Sequence, residues 1–157
     1  MSGVKVIGIG SPYGNDTIGW NLIEKLKRQH MLATLLPEQV ELIENDRPGI
    51  NLIQLLQGGD FVILVDAIHA EHNHGKLLRI SKEQLIQSRH AVSSHSLDVA
   101  NAIALADKLG VLPRKLVIIG MGIDPQCEDA IAEASIDTLA DAVTCELQEY
   151  FRQAATC

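Results

Sequence analysis

Short apolar runs alternate along the chain with stretches of helical spacing. Val4-Lys5-Val6-Ile7 is compact and β-branched, and Gly8-Ile9-Gly10 follows it. This pattern predicts a buried strand and then a turn. From Thr17 to about Gln29, Ile18, Leu22, Ile23 and Leu26 fall on one helical stripe. Lys25, Lys27 and Arg28 crowd the far end of that stripe, where the helix dipole favours cations. Val40-Glu41-Leu42-Ile43 predicts a second strand, and Pro48-Gly49 breaks the chain after it. Ile50, Ile53 and Leu56 repeat at helical spacing. Phe61-Val62-Ile63-Leu64-Val65 is apolar without interruption, the mark of a strand covered on both faces.

Asp66 ends that run, and a polar loop spans His69 to His74. Lys76 to Ile80 predicts an edge strand. A helix is expected from near Ser96 to Leu109, and Leu116-Val117-Ile118-Ile119 predicts the last core strand. The final helix is expected over roughly Ser135 to Arg152, with Ser135 as N-cap and Ile136, Leu139, Val143, Leu147 and Tyr150 on its stripe. Strand–helix alternation of this kind predicts an α/β protein of three layers, αβα. Its sheet would be mostly parallel and twisted, with about five strands and helices on both faces. At 157 residues, one domain over 1–157 is expected.

Composition narrows the function. The 13 basic against 20 acidic residues give a net charge of −7, with no basic stripe. With so few aromatics, nucleic acid is a poor partner. The apolar runs fall short of the roughly 20 residues that span a bilayer, so no membrane insertion is expected. Cys127, Cys145 and Cys157 are odd in number and lack CxxC spacing. A cytoplasmic location follows as the expectation.

Ligands of open α/β sheets bind beyond the carboxyl ends of the strands. Three polar residues are expected there: Asp16 after the first strand, Asp66 at the end of the third, and His95 just before a helix. Taken singly, each has a plain structural role. Asp16 suits a helix cap, Asp66 a cap or hydrogen-bond acceptor, and His95 a packed imidazole. Together, two carboxylates and an imidazole on separate crossovers make an oxygen- and nitrogen-rich set for a divalent transition metal. Three protein ligands would leave coordination positions open for water or substrate. His69, His72 and His74 form a rival cluster, better explained as a solvated loop, although His69 could line the same cleft as Asp66. Cys127 has no His or Asn partner at a nucleophile's spacing. Gly8-Ile9-Gly10 begins a dinucleotide fingerprint that Tyr13 breaks, since the third glycine belongs at that position.

The run from Ile7 through Gly8-Ile9-Gly10-Ser11-Pro12-Tyr13-Gly14-Asn15-Asp16-Thr17-Ile18 to Gly19 resembles the N-terminal motif of the NiFe-hydrogenase maturation endopeptidases. That motif reads approximately GxGN, a short loop, an acidic pair, then Gly-Val-Gly. Val65-Asp66-Ala67-Ile68 is similar to the family's strand-ending segment, His95-Ser96-Leu97 to its histidine before a helix, and Leu116 to Gly120 to its last strand. The resemblance implies an endopeptidase that removes the C-terminal extension of the hydrogenase large-subunit precursor once nickel has been inserted. Asp16, Asp66 and His95 would contact nickel carried by that precursor, with no metal held tightly by the isolated enzyme, which would act as a monomer. It identifies no nucleophile. The alternative is a nickel-binding assembly chaperone without proteolysis. Ser11 stands where the family commonly has Asn, Asn15 replaces the first acid of the pair, and the first loop is one residue shorter. Asp16 takes the ligand position by anchoring on Thr17-Ile18-Gly19. Asp46-Arg47-Pro48-Gly49 stands where the family has a glycine-rich segment.

Overall fold

The computed structural model describes residues 3–11, 17–29, 39–46, 50–87 and 94–157, with side chains at all of these except 50 and 94–98. In chain order the elements are β1 (Val4–Gly10), α1 (Ile18–Arg28), β2 (Val40–Asp46), α2 (Ile50–Leu56), β3 (Phe61–His69), β4 (Leu77–Ile80), α3 (Lys82–Gln87), α4 (Ser94–Leu109), β5 (Lys115–Ile123) and α5 (Glu133–Ala155). The five strands form one sheet in the order β2-β1-β3-β5-β4. β1 pairs in parallel with β2 and β3, and β3 with β5, while β4 closes one edge antiparallel to β5.

Side-chain alternation splits the strand residues between two cores. On one face Val4, Val6, Phe61, Ile63, Val65, Ile119 and Met121 pack under α1 and α5, which supply Leu22, Ile23, Leu26, Leu139, Val143 and Leu147. On the other face Ile7, Ile9, Val62, Leu64 and Ile118 pack under α2, α3 and α4, which supply Leu52, Leu56, Leu85, Val99 and Ile103. The expected three-layer αβα architecture is the one observed. At the amino end of the first face the Phe61 and Tyr150 rings stack at 4.6 Å, and the Lys115 ammonium lies 4.8 Å from the Phe61 centroid.

Several boundaries differ from the sequence expectation. β1 does not turn at Gly8 but runs in register with β2 to Gly10↔Asp46. The glycines serve packing instead: a Cβ on Gly8 would lie 2.2 Å from the Gly19 carbonyl oxygen, and one on Gly19 would lie 2.0 Å from that of Ile9. α1 and β1 therefore meet backbone to backbone. α5 starts at Glu133 with Ala132 at the N-cap, so Ser135 lies inside the helix. α3 was not expected. It is a short turn of helix whose one buried side chain is Leu85, too brief to show a period. Its first turn is held by the Ser81 hydroxyl, which accepts the Gln84 N–H, while Gln84 Oε1 accepts the Ser81 N–H.

Candidate functional site

The chain leaves β1 toward β2 and returns to place β3 on the other side of β1. The reversal lies between β1 and β3, and at such a reversal the connections diverge and leave a crevice at the carboxyl ends. Asp66 sits there. It is the sixth residue of β3, opposite Gly120 of β5, and only 7% exposed. It shares parity with Val62 and Leu64, so its side chain belongs to the α2/α4 face. The carboxylate is not left unpaired, as burial of a charge requires.

β5 offers no side chain beside it. Gly120 faces Asp66 in register, and a Cβ there would meet Ile68 Cδ1 at 2.1 Å. Ile68 thus folds over the glycine. One step further, a Cβ on Gly122 would lie 2.2 Å from the Asn73 carbonyl oxygen, because the 70–76 loop crosses directly over the strand. The Gly122 N–H donates to the Lys76 carbonyl at 2.8 Å, and the Gly75 N–H donates to the Gly122 carbonyl at 2.9 Å.

His95 lies in the first turn of α4. The opposite end of α4 is fixed: Gly110 and Leu112 line a cavity of about 400 Å³ with Gly58, Gly59 and Asp60, just ahead of β3. α4 therefore ends at the amino edge of the sheet. A helix of 16 residues extends about 24 Å, enough to return its first turn to the carboxyl edge where Asp66 lies. Asp16 falls outside the described residues, in the connection between β1 and α1.

The histidine loop is hydrogen-bonded to the segment that follows β5. β3 extends to His69. Alternation puts His69 on the α1/α5 side, opposite to Asp66, where it is exposed; it does not line the Asp66 cleft. His74 ties two loops together. Its Nδ1 accepts the Asp124 N–H at 3.2 Å, which leaves Nε2–H to donate to the Asp129 carbonyl at 2.9 Å. The Asp124 carboxylate accepts the His72 N–H at 3.0 Å and the Gln126 N–H at 2.9 Å. Those two bonds, Gln126 first, hold its carboxyl below the usual carboxylate range, with the nearby His72 and His74 adding to the effect. His72 takes a positive φ of 62° in this loop. Among the described residues no three His, Cys, Asp or Glu side chains gather into a group able to hold a metal ion. Cys127 Sγ lies 3.8 Å from the Asp129 carboxylate.

Two buried polar residues at the same edge escaped the sequence reading as site candidates. Ser11, the first residue after β1, is 1% exposed and engaged. Asn45, near the end of β2, is 6% exposed, and its Nδ2 has no hydrogen-bond partner among the described residues. Ser11 carries the signal that marks Asp66, a polar residue at the carboxyl end of an apolar strand, whereas among the polar residues of β2 only the pairing with β1 shows that Asn45 turns inward. The larger groove, about 650 Å³, lies on the other face between α1 and α5, lined by residues such as Lys25, Arg28, Glu133 and Asp137.

The fold is that of a mostly parallel-sheet α/β protein with a buried carboxyl residue, Asp66, near the carboxyl end of β3. The chain belongs to the hydrogenase maturation protease family, whose HycI family model matches residues 20–147. It is 25% identical over 149 residues to the hydrogenase 2 maturation protease of Escherichia coli strain K12, covering 87% of this chain and 88% of that protein. It is 27% identical over 120 residues to the hydrogenase expression/formation protein HupD of Bradyrhizobium diazoefficiens, covering 74% of this chain and 60% of that one. Among solved structures, the hydrogenase maturating endopeptidase HybD from E. coli superposes with a TM-score of 0.78 at 24% identity, covering 94% of this chain and 93% of that one. The maturation protease HycI from Thermococcus kodakarensis gives 0.64 at 20% identity, with 90% of each chain covered. Both share this fold. No helix among the described residues is long and apolar enough to cross a membrane.

Proposed function

We propose that this protein is the endopeptidase that cuts the C-terminal extension from a NiFe-hydrogenase large-subunit precursor after nickel insertion. The nickel is part of the substrate. Asp16, Asp66 and His95 recognise it, and it licenses the cut. The observation that carries this reading is the position of Asp66. It is a buried carboxylate at the reversal between β1 and β3, and α4 returns His95 toward the same edge. A carboxylate and an imidazole are suitable donors for a divalent transition metal. A nickel ion held there would fix the scissile bond against the enzyme and polarise its carbonyl or a bound water. The enzyme works as a monomer in the cytoplasm and needs no resident metal.

The test is to incubate the protein with nickel-loaded and nickel-free precursor and to follow precursor mass. Loss of the C-terminal peptide from the loaded form alone is expected. Equal cleavage of both forms refutes nickel recognition. An unchanged mass in both, with precursor bound, makes the protein an assembly chaperone instead.

A further inference from the structure

Asn45 carries a buried hydrogen-bonding group that meets no partner among the described residues. Its main chain lies in the β1–β2 ladder opposite Ile9, and its carbonyl oxygen accepts Trp20 Nε1–H at 3.3 Å. The side-chain amide is different. It is buried, and Nδ2 meets no acceptor among the described residues. A buried donor without a partner weakens the fold, and an apolar side chain of similar size would avoid that cost. Such a group in a native protein calls for a reason outside the resting structure.

Its position supplies one. Val40 and Leu42 pack toward α1 and α5, whereas Ile43 packs toward α2 and α4. Alternation therefore turns Asn45 to the same face as Asp66. The two also share a row. Asn45 pairs with Ile9, and the β1–β3 ladder pairs Gly8 with Val65, so its next step sets Ile9 beside Asp66. Two strand spacings separate Asn45 from Asp66, roughly 10 Å. An extended peptide crossing the carboxyl edge rises about 3.3 Å per residue, so the two positions are about three residues apart on such a peptide.

From this we infer that Asn45 is a substrate-binding residue for the precursor. Its Nδ2 donates to a main-chain carbonyl about three residues from the position held at Asp66. This rests on the proposed precursor as substrate. Binding then exchanges an unmade hydrogen bond for a made one, and the bound form is favoured by that difference. The chemistry selects an extended peptide with an exposed carbonyl. It does not select for the metal.

Wild type, Asn45→Leu and Asn45→Ala should be compared on nickel-loaded precursor across a range of concentrations. Thermal unfolding and calorimetric titration with the same precursor run in parallel. The expected result is a KM and a Kd about tenfold higher in both variants with kcat little changed, as for loss of one ground-state hydrogen bond. Asn45→Leu should unfold no earlier than wild type. Unchanged KM and Kd overturn the inference. So does a fall in kcat that tracks a lowered unfolding midpoint in both variants, because that marks Asn45 as structural. If wild type binds precursor without cutting it, the proteolytic reading fails, while the Kd of the variants still decides the role of Asn45.

Discussion

Replacing Gly19 with Ala tests the joint between α1 and β1. The added methyl would stand 2.0 Å from the Ile9 carbonyl oxygen and 2.7 Å from the Ile9 nitrogen. Ordinary carbon–oxygen contacts begin at about 3.3 Å. Both partners are backbone, so no rotamer change relieves the clash, and the helix must retreat by more than about 1 Å. Ile18, Leu22, Ile23 and Leu26, all 2% exposed or less, pack beneath this helix, and a gap of that size forfeits a quarter to a half of their contact energy. Overpacking costs about 1–3 kcal/mol, and a backbone-on-backbone clash falls at or above the upper end. Alanine returns about 1 kcal/mol through its helix propensity. The net loss is about 2 kcal/mol, a fall in melting temperature of roughly 4–8 °C for a chain of this size. Thermal and urea unfolding measure it. Gly110→Ala is the control: φ there is +67° and the space around it is open, so only left-handed strain of about 1 kcal/mol applies. A Gly19→Ala protein as stable as wild type would refute the close approach.

Asp66→Asn and His95→Ala should each abolish precursor processing in the mass assay while near-native circular dichroism persists; retained processing in both removes the site assignment. Leu147→Ala empties a fully buried position in the α5 core and should cost about 2–5 kcal/mol, read as a lower urea midpoint; a cost under 1 kcal/mol would contradict that packing. The Asp124 carboxyl is held below its ordinary value of 3.8. A depressed carboxyl stabilises the fold above its unfolded pKa, and that contribution disappears as pH falls through the lower, folded value. An NMR titration should find the His72 amide resonance moving with a midpoint below 3.8, and in Asp124→Asn the same resonance should not titrate with that group; a midpoint at or above the ordinary value would contradict the two main-chain bonds.

The sheet was legible because its strands are written in Val, Ile, Leu and Phe. The unbroken run Phe61–Val65 could only be a central strand, and helical spacing marked α1 and α5. Strand ends were less legible. Gly8 and Gly10 carry turn chemistry locally, but pairing with Glu44 and Asp46 of β2 keeps them in β1. Ser135 has the chemistry of a cap, yet α5 begins ahead of it. Asp66 was visible because it interrupts an apolar run. Asn45 was not, since Glu41 and Glu44 around it already break the β2 pattern, and only the pairing with β1 shows which of these polar residues turns inward. His69 reads as the start of a polar loop, three residues past Asp66 and free to line the same cleft. A strand two turns of pleat longer than its apolar core reverses that side chain.

The sheet order also constrains synthesis. β1 is made before both of its strand partners, yet it lies inside the sheet, paired with β2 and β3 and covered by α1. The core above it is completed by α5, the final helix. β1 can pair on both edges once β2 and β3 have followed it, but the apolar face that α5 covers stays open until that helix is made, and for that interval it is exposed to chaperones or to misassembly.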